Sequence, residues 1–154
     1  MELARDFSEF IDLLNKHELD YLVVGGYALG FHGRPRYTGD LDIWIDISER
    51  NAAKMVQVID DFGFATLGLE KEDFLQKGYI TQIGYPPLRI DILNDIDGVV
   101  FKEAYKNKLV IDIEGIEVNY IGYNDLILNK EASGRNKDIT DIKSLKKAKP
   151  KSRK

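Results

Sequence analysis

Asp40-Leu41-Asp42-Ile43-Trp44-Ile45-Asp46-Ile47 is the segment on which the reading of this chain turns. Polar or aromatic residues alternate strictly with branched aliphatic ones, the pattern of a strand. Successive strand side chains point to opposite faces. Asp40, Asp42, Trp44 and Asp46 therefore share one face, and Leu41, Ile43, Ile45 and Ile47 are expected to face the core. Aspartate is depleted in strands, so three on one face is a costly choice if the face serves only solubility. Asp40 and Asp42 lie about 6.6 Å apart along such a strand. Two carboxylates at that spacing suit a pair of Mg²⁺ ions about 3.5–4 Å apart. Mg²⁺ takes a few carboxylates and completes its shell with water and phosphate oxygens.

A second alternating run, Leu88-Arg89-Ile90-Asp91-Ile92-Leu93, places Asp91 opposite in sense to Ile90 and Ile92. If this strand neighbours the first, Asp91 joins Asp40 and Asp42 as a metal ligand and as an acceptor of the proton of an attacking hydroxyl. The competing reading is that Asp91 only pairs with Arg89 or another surface base.

Upstream, the apolar run Tyr21–Val24 ends at Gly25-Gly26, a turn whose backbone N–H groups could hold phosphate oxygens. Arg34, Arg36 and Thr38 stand between that turn and Asp40, where they could neutralise phosphate or orient the strand. Pro35 marks a turn among them. His32 reads as a structural hydrogen-bonding residue. No Gly-x-x-x-x-Gly-Lys-[Ser/Thr] loop occurs. Lys130 could reach a β- or γ-phosphate as a point charge.

Further out, Leu3, Phe7, Phe10 and Leu14 recur at helical spacing and predict a helix over residues 3–16. Ser48 caps a predicted helix running to about Phe62 and ended by Gly63. Phe64–Leu67 reads as a brief strand. Two hairpins are expected, one about Tyr85-Pro86-Pro87 and one about Glu114-Gly115. Val99–Tyr105 reads as a short helix, and Tyr123–Ala132 and Asp138–Lys147 as two closing helices. Strands in hairpins mixed with helices predict an α+β fold, a mixed sheet with helices packed on it.

The chain has 154 residues, no cysteine and two histidines. That excludes disulfides, thiolate metal sites and cysteine nucleophiles, and two histidines alone build no zinc site. No apolar run approaches the roughly 20 residues of a membrane span, and the N-terminus lacks the pattern of a secretory signal. A cytoplasmic protein with no membrane partner is expected. Net charge is −4, but seven basic and no acidic residues fall between Lys143 and Lys154. One domain over 1–147 and a basic, disordered tail over 148–154 are expected.

The stretch Val23–Ile43, with Gly25-Gly26 followed by Asp40-x-Asp42, resembles the DNA polymerase β-type nucleotidyltransferase superfamily. It looks most like its small prokaryotic branch, which includes abortive-infection toxin-like nucleotidyltransferases. The run Asp125-Leu126-Ile127-x-x-Lys130, then Gly134-Arg135-x-Lys137-Asp138-x-x-Asp141, is also similar to that branch. The resemblance implies a nucleotidyltransferase-like fold and transfer of a nucleoside monophosphate from a nucleoside triphosphate, with Mg²⁺ or Mn²⁺ held by Asp40, Asp42 and Asp91. It associates Lys130 with the triphosphate and makes Asp138 and Asp141 structural. Gly26 stands where many members have serine, so a hydroxyl to phosphate is missing. No separate acceptor-binding domain is evident, which leaves RNA, protein and small-molecule acceptors open, along with a partner or antitoxin subunit. The alternatives are a degenerate nucleotide- or partner-binding domain and, through Asp-x-Asp, a metal-dependent glycosyltransferase.

Overall fold

The computed structural model describes residues 3–33, 39–85 and 87–148. Along the chain run α1 (Arg5–Lys16), β1 (Tyr21–Val24), α2 (Gly25–Phe31), β2 (Asp40–Ile45) and α3 (Glu49–Ile59). There follow β3 (Thr81–Tyr85), β4 (Leu88–Leu93), α4 (Phe101–Lys106), β5 (Leu109–Ile113), β6 (Ile116–Tyr120), α5 (Tyr123–Ser133) and α6 (Asn136–Ala148). The strands form one six-stranded sheet in the order β3-β4-β2-β1-β6-β5. β2 pairs with β4 and β1 with β6 in parallel, and the other neighbours are antiparallel. This is the expected α+β architecture: a mixed sheet, helices packed on it and two closing helices.

Local chemistry explains most element ends. Ser48 Oγ accepts from Asn51 N at 3.1 Å at the start of α3, a side-chain cap of the kind expected there. The β5–β6 hairpin turns at Glu114 and Gly115, both with positive φ, the twist-matched geometry of a two-residue turn. Asp112 Oδ1 accepts the Gly115 N–H at 2.9 Å and closes it.

Two expectations are corrected. Phe64–Leu67 is not a strand: the chain leaves α3 through a wide helical turn at Asp60–Phe64, kinked at Gly63, and passes into a short 3₁₀ turn at Ala65–Leu67. Gly63 has φ 102°, so the helix period breaks there as foreseen, but the next residues coil instead of extending.

Trp44 does not share a wet face with the aspartates. It is 2% exposed and meets the Phe101 ring edge-on at 5.0 Å, because α4 covers that end of the face. The other face is closed by α1 and α2, with Phe7 and Phe10 of α1 and Leu29 of α2 buried. Burying such side chains contributes about 1.5–3 kcal/mol each. The face bearing Asp40 and Asp42 is therefore apolar at Trp44 and polar at the other end of the same strand. Asp46 falls beyond β2, where its Oδ1 accepts the Ile47 N–H.

Candidate active site

The parallel pairing of β2 with β4 sets Asp42 opposite Asp91 and Asp40 opposite Arg89. Residues directly opposite on neighbouring strands carry their side chains to the same face. Three carboxylates and one guanidinium thus meet at one end of two central strands. Arg89 Nε donates to Asp91 Oδ1 at 2.8 Å. Its Nη2 donates to Asp91 Oδ2 at 3.0 Å and to Asp40 Oδ2 at 3.0 Å. The bidentate fork on Asp91 is the strongest geometry available to such a pair.

Asp91 is 8% exposed, and its pairing with Arg89, foreseen as the plain alternative, coexists with its place in the cluster. Asp42 hydrogen bonds with Asp91. Burial, reinforced by the charges of Asp91 and Asp40, pushes the Asp42 carboxyl up to about 7. Like-charged carboxylates in one partly dry site cannot all ionise cheaply.

Gly25, with φ +65°, begins α2 against this cluster. A Cβ at Gly25 would overlap the Asp42 carboxylate, so glycine is required both for the backbone conformation and for the close approach. Val24, the residue before it, pairs with Asp42 across β1 and β2. Gly26 follows in the first turn of α2.

A cleft of about 530 Å³ opens from Gly25 and Asp42. It runs past Leu93, along Asp97 and on to Asn129 and Arg135. Asn129 Nδ2 donates to Asp97 O at 3.0 Å, which fastens the loop after β4 to α5. Gly98 lies too close to Ala132 for any side chain. Sequence reading passed over Asp97 and Asn129 and gave Arg135, quoted in the run after Gly134, no role at the site. The run Asn94-Asp95-Ile96-Asp97-Gly98, directly after the Asp91 strand, was the signal that could have found this wall.

Lys130, expected at a phosphate, lies on α5 facing α6. It is 6% exposed, and its Nζ lies 3.1 Å from Asp141 and 3.4 Å from Asp138. The ammonium ties α5 to α6 and is not among the residues that line the cleft. Asp138 and Asp141 are buried partners of this lysine, in keeping with a structural role. His32 is buried, with Nε2 2.8 Å from Ile121 O, as expected of a structural histidine. Arg34, Arg36 and Thr38 lie outside the described residues, as does the tail beyond Ala148.

No group of three carboxylate, histidine or cysteine side chains among the described residues is gathered as for a metal ion. The donor chemistry still fits one: the three oxygen-bearing side chains are of the hard type that Mg²⁺ selects, and a cation, the Arg89 guanidinium, already stands between two of them. Among the described residues no helix is long and apolar enough to cross a membrane.

The fold has counterparts among solved structures. The fold matches a presumed nucleotidyltransferase from Thermotoga maritima at 14% identity, covering 95% of this chain and 94% of that one, with a TM-score of 0.58. It matches the lincosamide antibiotic adenylyltransferase LnuA, solved with lincomycin bound, at 15% identity over 96% and 99% of the two chains, with a TM-score of 0.58. An antigenic nucleotidyltransferase-like protein from Paracoccidioides brasiliensis matches at 15% identity over 94% and 78%, with a TM-score of 0.53. At these identities the likeness is one of fold. No curated protein matches the chain. Residues 2–149 match the model of a family described as nucleotidyltransferase of unknown function (DUF6036), and over that span, nearly the whole chain, the protein belongs to this nucleotidyltransferase family.

Proposed function

We propose that this nucleotidyltransferase moves a nucleoside monophosphate from a nucleoside triphosphate to the hydroxyl of a small molecule, using a divalent metal ion. The observation that carries the reading is the register of Asp42 against Asp91, with Asp40 one pleat away and Asp42 lining the cleft. Asp40, Asp42 and Asp91 would hold the metal. Bound there, Mg²⁺ or Mn²⁺ would neutralise the charge of the phosphates and of the pentavalent transition state. Gly25 lets the backbone approach Asp42 closely enough for a phosphate to reach both, and Gly26 would offer its N–H beside it. Arg34, Arg36 and Thr38 remain proposed phosphate contacts.

The acceptor oxygen attacks the α-phosphorus and forms the new P–O bond. The bond to the bridging oxygen breaks, and pyrophosphate leaves with that electron pair. The acceptor proton would pass to a carboxylate of the cluster, Asp91 in this reading. The remainder of the acceleration is positioning and charge compensation.

A cleft of about 530 Å³ is of the size that takes small ligands. LnuA, an adenylyltransferase whose matched chain is covered over 99% of its length, was solved with lincomycin, a small antibiotic, bound. These two points favour a small-molecule acceptor over RNA, a protein or an antitoxin-paired toxin role.

Calorimetry with each of the four non-hydrolysable triphosphates, with and without Mg²⁺, tests the site in wild type and in an Asp40→Asn/Asp42→Asn variant. Metal-dependent binding in wild type and none in the variant is expected. Transfer of label should fall about 10³-fold in the variant, the effect of several kcal/mol of lost charge stabilisation. No triphosphate binding by wild type would overturn the reading, and label appearing on RNA or protein alone would overturn the choice of acceptor.

A further inference from the structure

The Arg89 guanidinium occupies the ground that the proposed metal needs. One nitrogen, Nη2, lies 3.0 Å from Asp40 Oδ2 and 3.0 Å from Asp91 Oδ2. These are oxygens of two of the three side chains that would hold the metal. Mg²⁺ binds oxygen at about 2.0–2.1 Å, so both carboxylates would have to close in on the point between them where the nitrogen now sits. The nitrogen and a metal ion cannot share that point.

Arg89 has somewhere to go. Its side chain is 28% exposed while Asp91 beneath it is 11% exposed, so it lies on the solvent side of the carboxylate it pairs. Guanidinium forks bind phosphate oxygens as readily as carboxylates. A triphosphate arriving over Asp42 would bring the anion onto which Arg89 can turn.

Resting on the proposed function, we infer that Arg89 is a displaceable internal counter-cation: it holds the space between Asp40 and Asp91 in the free protein and yields it when metal and triphosphate enter together. It follows that metal alone binds weakly and that the two ligands bind with positive coupling. Arg89 is a positioning residue here, because it acts through the carboxylates and the phosphates.

Titration with Mn²⁺, followed by electron paramagnetic resonance of the free ion, tests this on the full chain with and without α,β-methylene-ATP. In wild type, Mn²⁺ affinity should be weak alone and rise when the nucleotide is present. Arg89→Gln should bind Mn²⁺ alone about tenfold tighter than wild type, since a unit positive charge leaves the donor oxygens. Its gain from the nucleotide should shrink correspondingly. Arg89→Lys keeps the charge and guards against a folding defect in the first variant. Its ammonium lacks the fork that spans both carboxylates, so Mn²⁺ alone should again bind tighter than to wild type. Equal or weaker Mn²⁺ binding in both folded variants would overturn the inference and leave the proposed function standing. No Mn²⁺ binding by any of the three proteins, even with nucleotide, would overturn the proposed function itself.

Discussion

Two clusters of carboxylates and bases lie within this small fold, and they are balanced differently. At the end of β2 and β4, Arg89 serves Asp40 and Asp91 while Asp42 is left to share a hydrogen bond with Asp91. Between α5 and α6, Lys130 and Arg135 face Asp138 and Asp141, two bases for two acids. Burial acts against charge in both places. In the second cluster it pushes Asp138 up, but the hydrogen bonds from Arg135 and Ser133 and the charge of Lys130 outweigh it and hold the carboxyl at about 2. In the first, burial and like charge act together and raise Asp42 to about 7. A balanced cluster fastens helices, whereas three carboxylates facing one guanidinium keep an excess of negative charge, on which the proposed metal site rests.

The comparison is broken most directly by removing Lys130. Lys130→Met leaves Asp138 and Asp141 buried without their shared base. Breaking a buried pair from one side costs about 3–5 kcal/mol. For a chain of this size that lowers the thermal midpoint by roughly 6–20 °C. Differential scanning calorimetry measures it, and calorimetric binding of α,β-methylene-ATP to the folded variant tells whether Lys130 also serves phosphate. Unchanged affinity for the nucleotide is expected. A lost affinity in a variant of normal stability would return Lys130 to the phosphates.

Asp42→Asn should have the opposite sign. Asparagine is shaped like the protonated acid and can donate to Asp91 as that acid does. In wild type the folded carboxyl titrates near 7 and the unfolded one near 3.8. The folded state therefore holds a proton that the unfolded state has released between those values, so stability falls as pH rises from about 4 to 7 and stays low above. Removing the charge should stabilise the metal-free protein by about 2–4 kcal/mol at pH 8, and by much less at pH 4.5. Thermal melts in chelator at the two pH values read the difference. An equal effect at both would show that Asp42 carries no such strain. The same variant should lose nucleotidyl transfer, a trade of activity for stability.

How legible these clusters were in the sequence follows from how far each contact reaches. Alternation found β2 and β4 and the shared face of Asp40 and Asp42, because strand periodicity is local. It also put Arg89 on the face of Asp91, two residues away. The parallel register that brings Asp40 opposite Arg89, 49 residues apart, has no local signature, so the second arm of the Arg89 bridge was not readable. Parity told which residues accompany Trp44 but not that Phe101 covers it. The resemblance supplied the roles of Asp138 and Asp141 as structural. The partners of Lys130 lie eight and eleven residues on, across the turn at Gly134, and only the packing of α6 on α5 joins them.

The smallest expected effect sharpens the comparison at its acid end. Asp138 is held at about 2 against an unfolded value of 3.8, a folded pKa depressed by its bases. Its contribution is fully present above about pH 4 and disappears as pH falls toward 2. The shift corresponds to about 2 kcal/mol. Asp138→Asn should remove that limb of the acid unfolding curve, so wild type and variant should differ most at pH 5 and converge near pH 2. Asp42 acts in the opposite sense: below about pH 4 it is protonated in both states and adds nothing, and from there upward only the unfolded state releases its proton. Urea unfolding of Asp138→Asn and Asp42→Asn at pH 2.5, 5 and 8 therefore gives two opposite profiles: one penalty that fades in acid, and one benefit that appears only as the pH rises. If both variants followed the same profile, the two clusters would share one charge environment, and the division between a fastening cluster and a receiving one would fail.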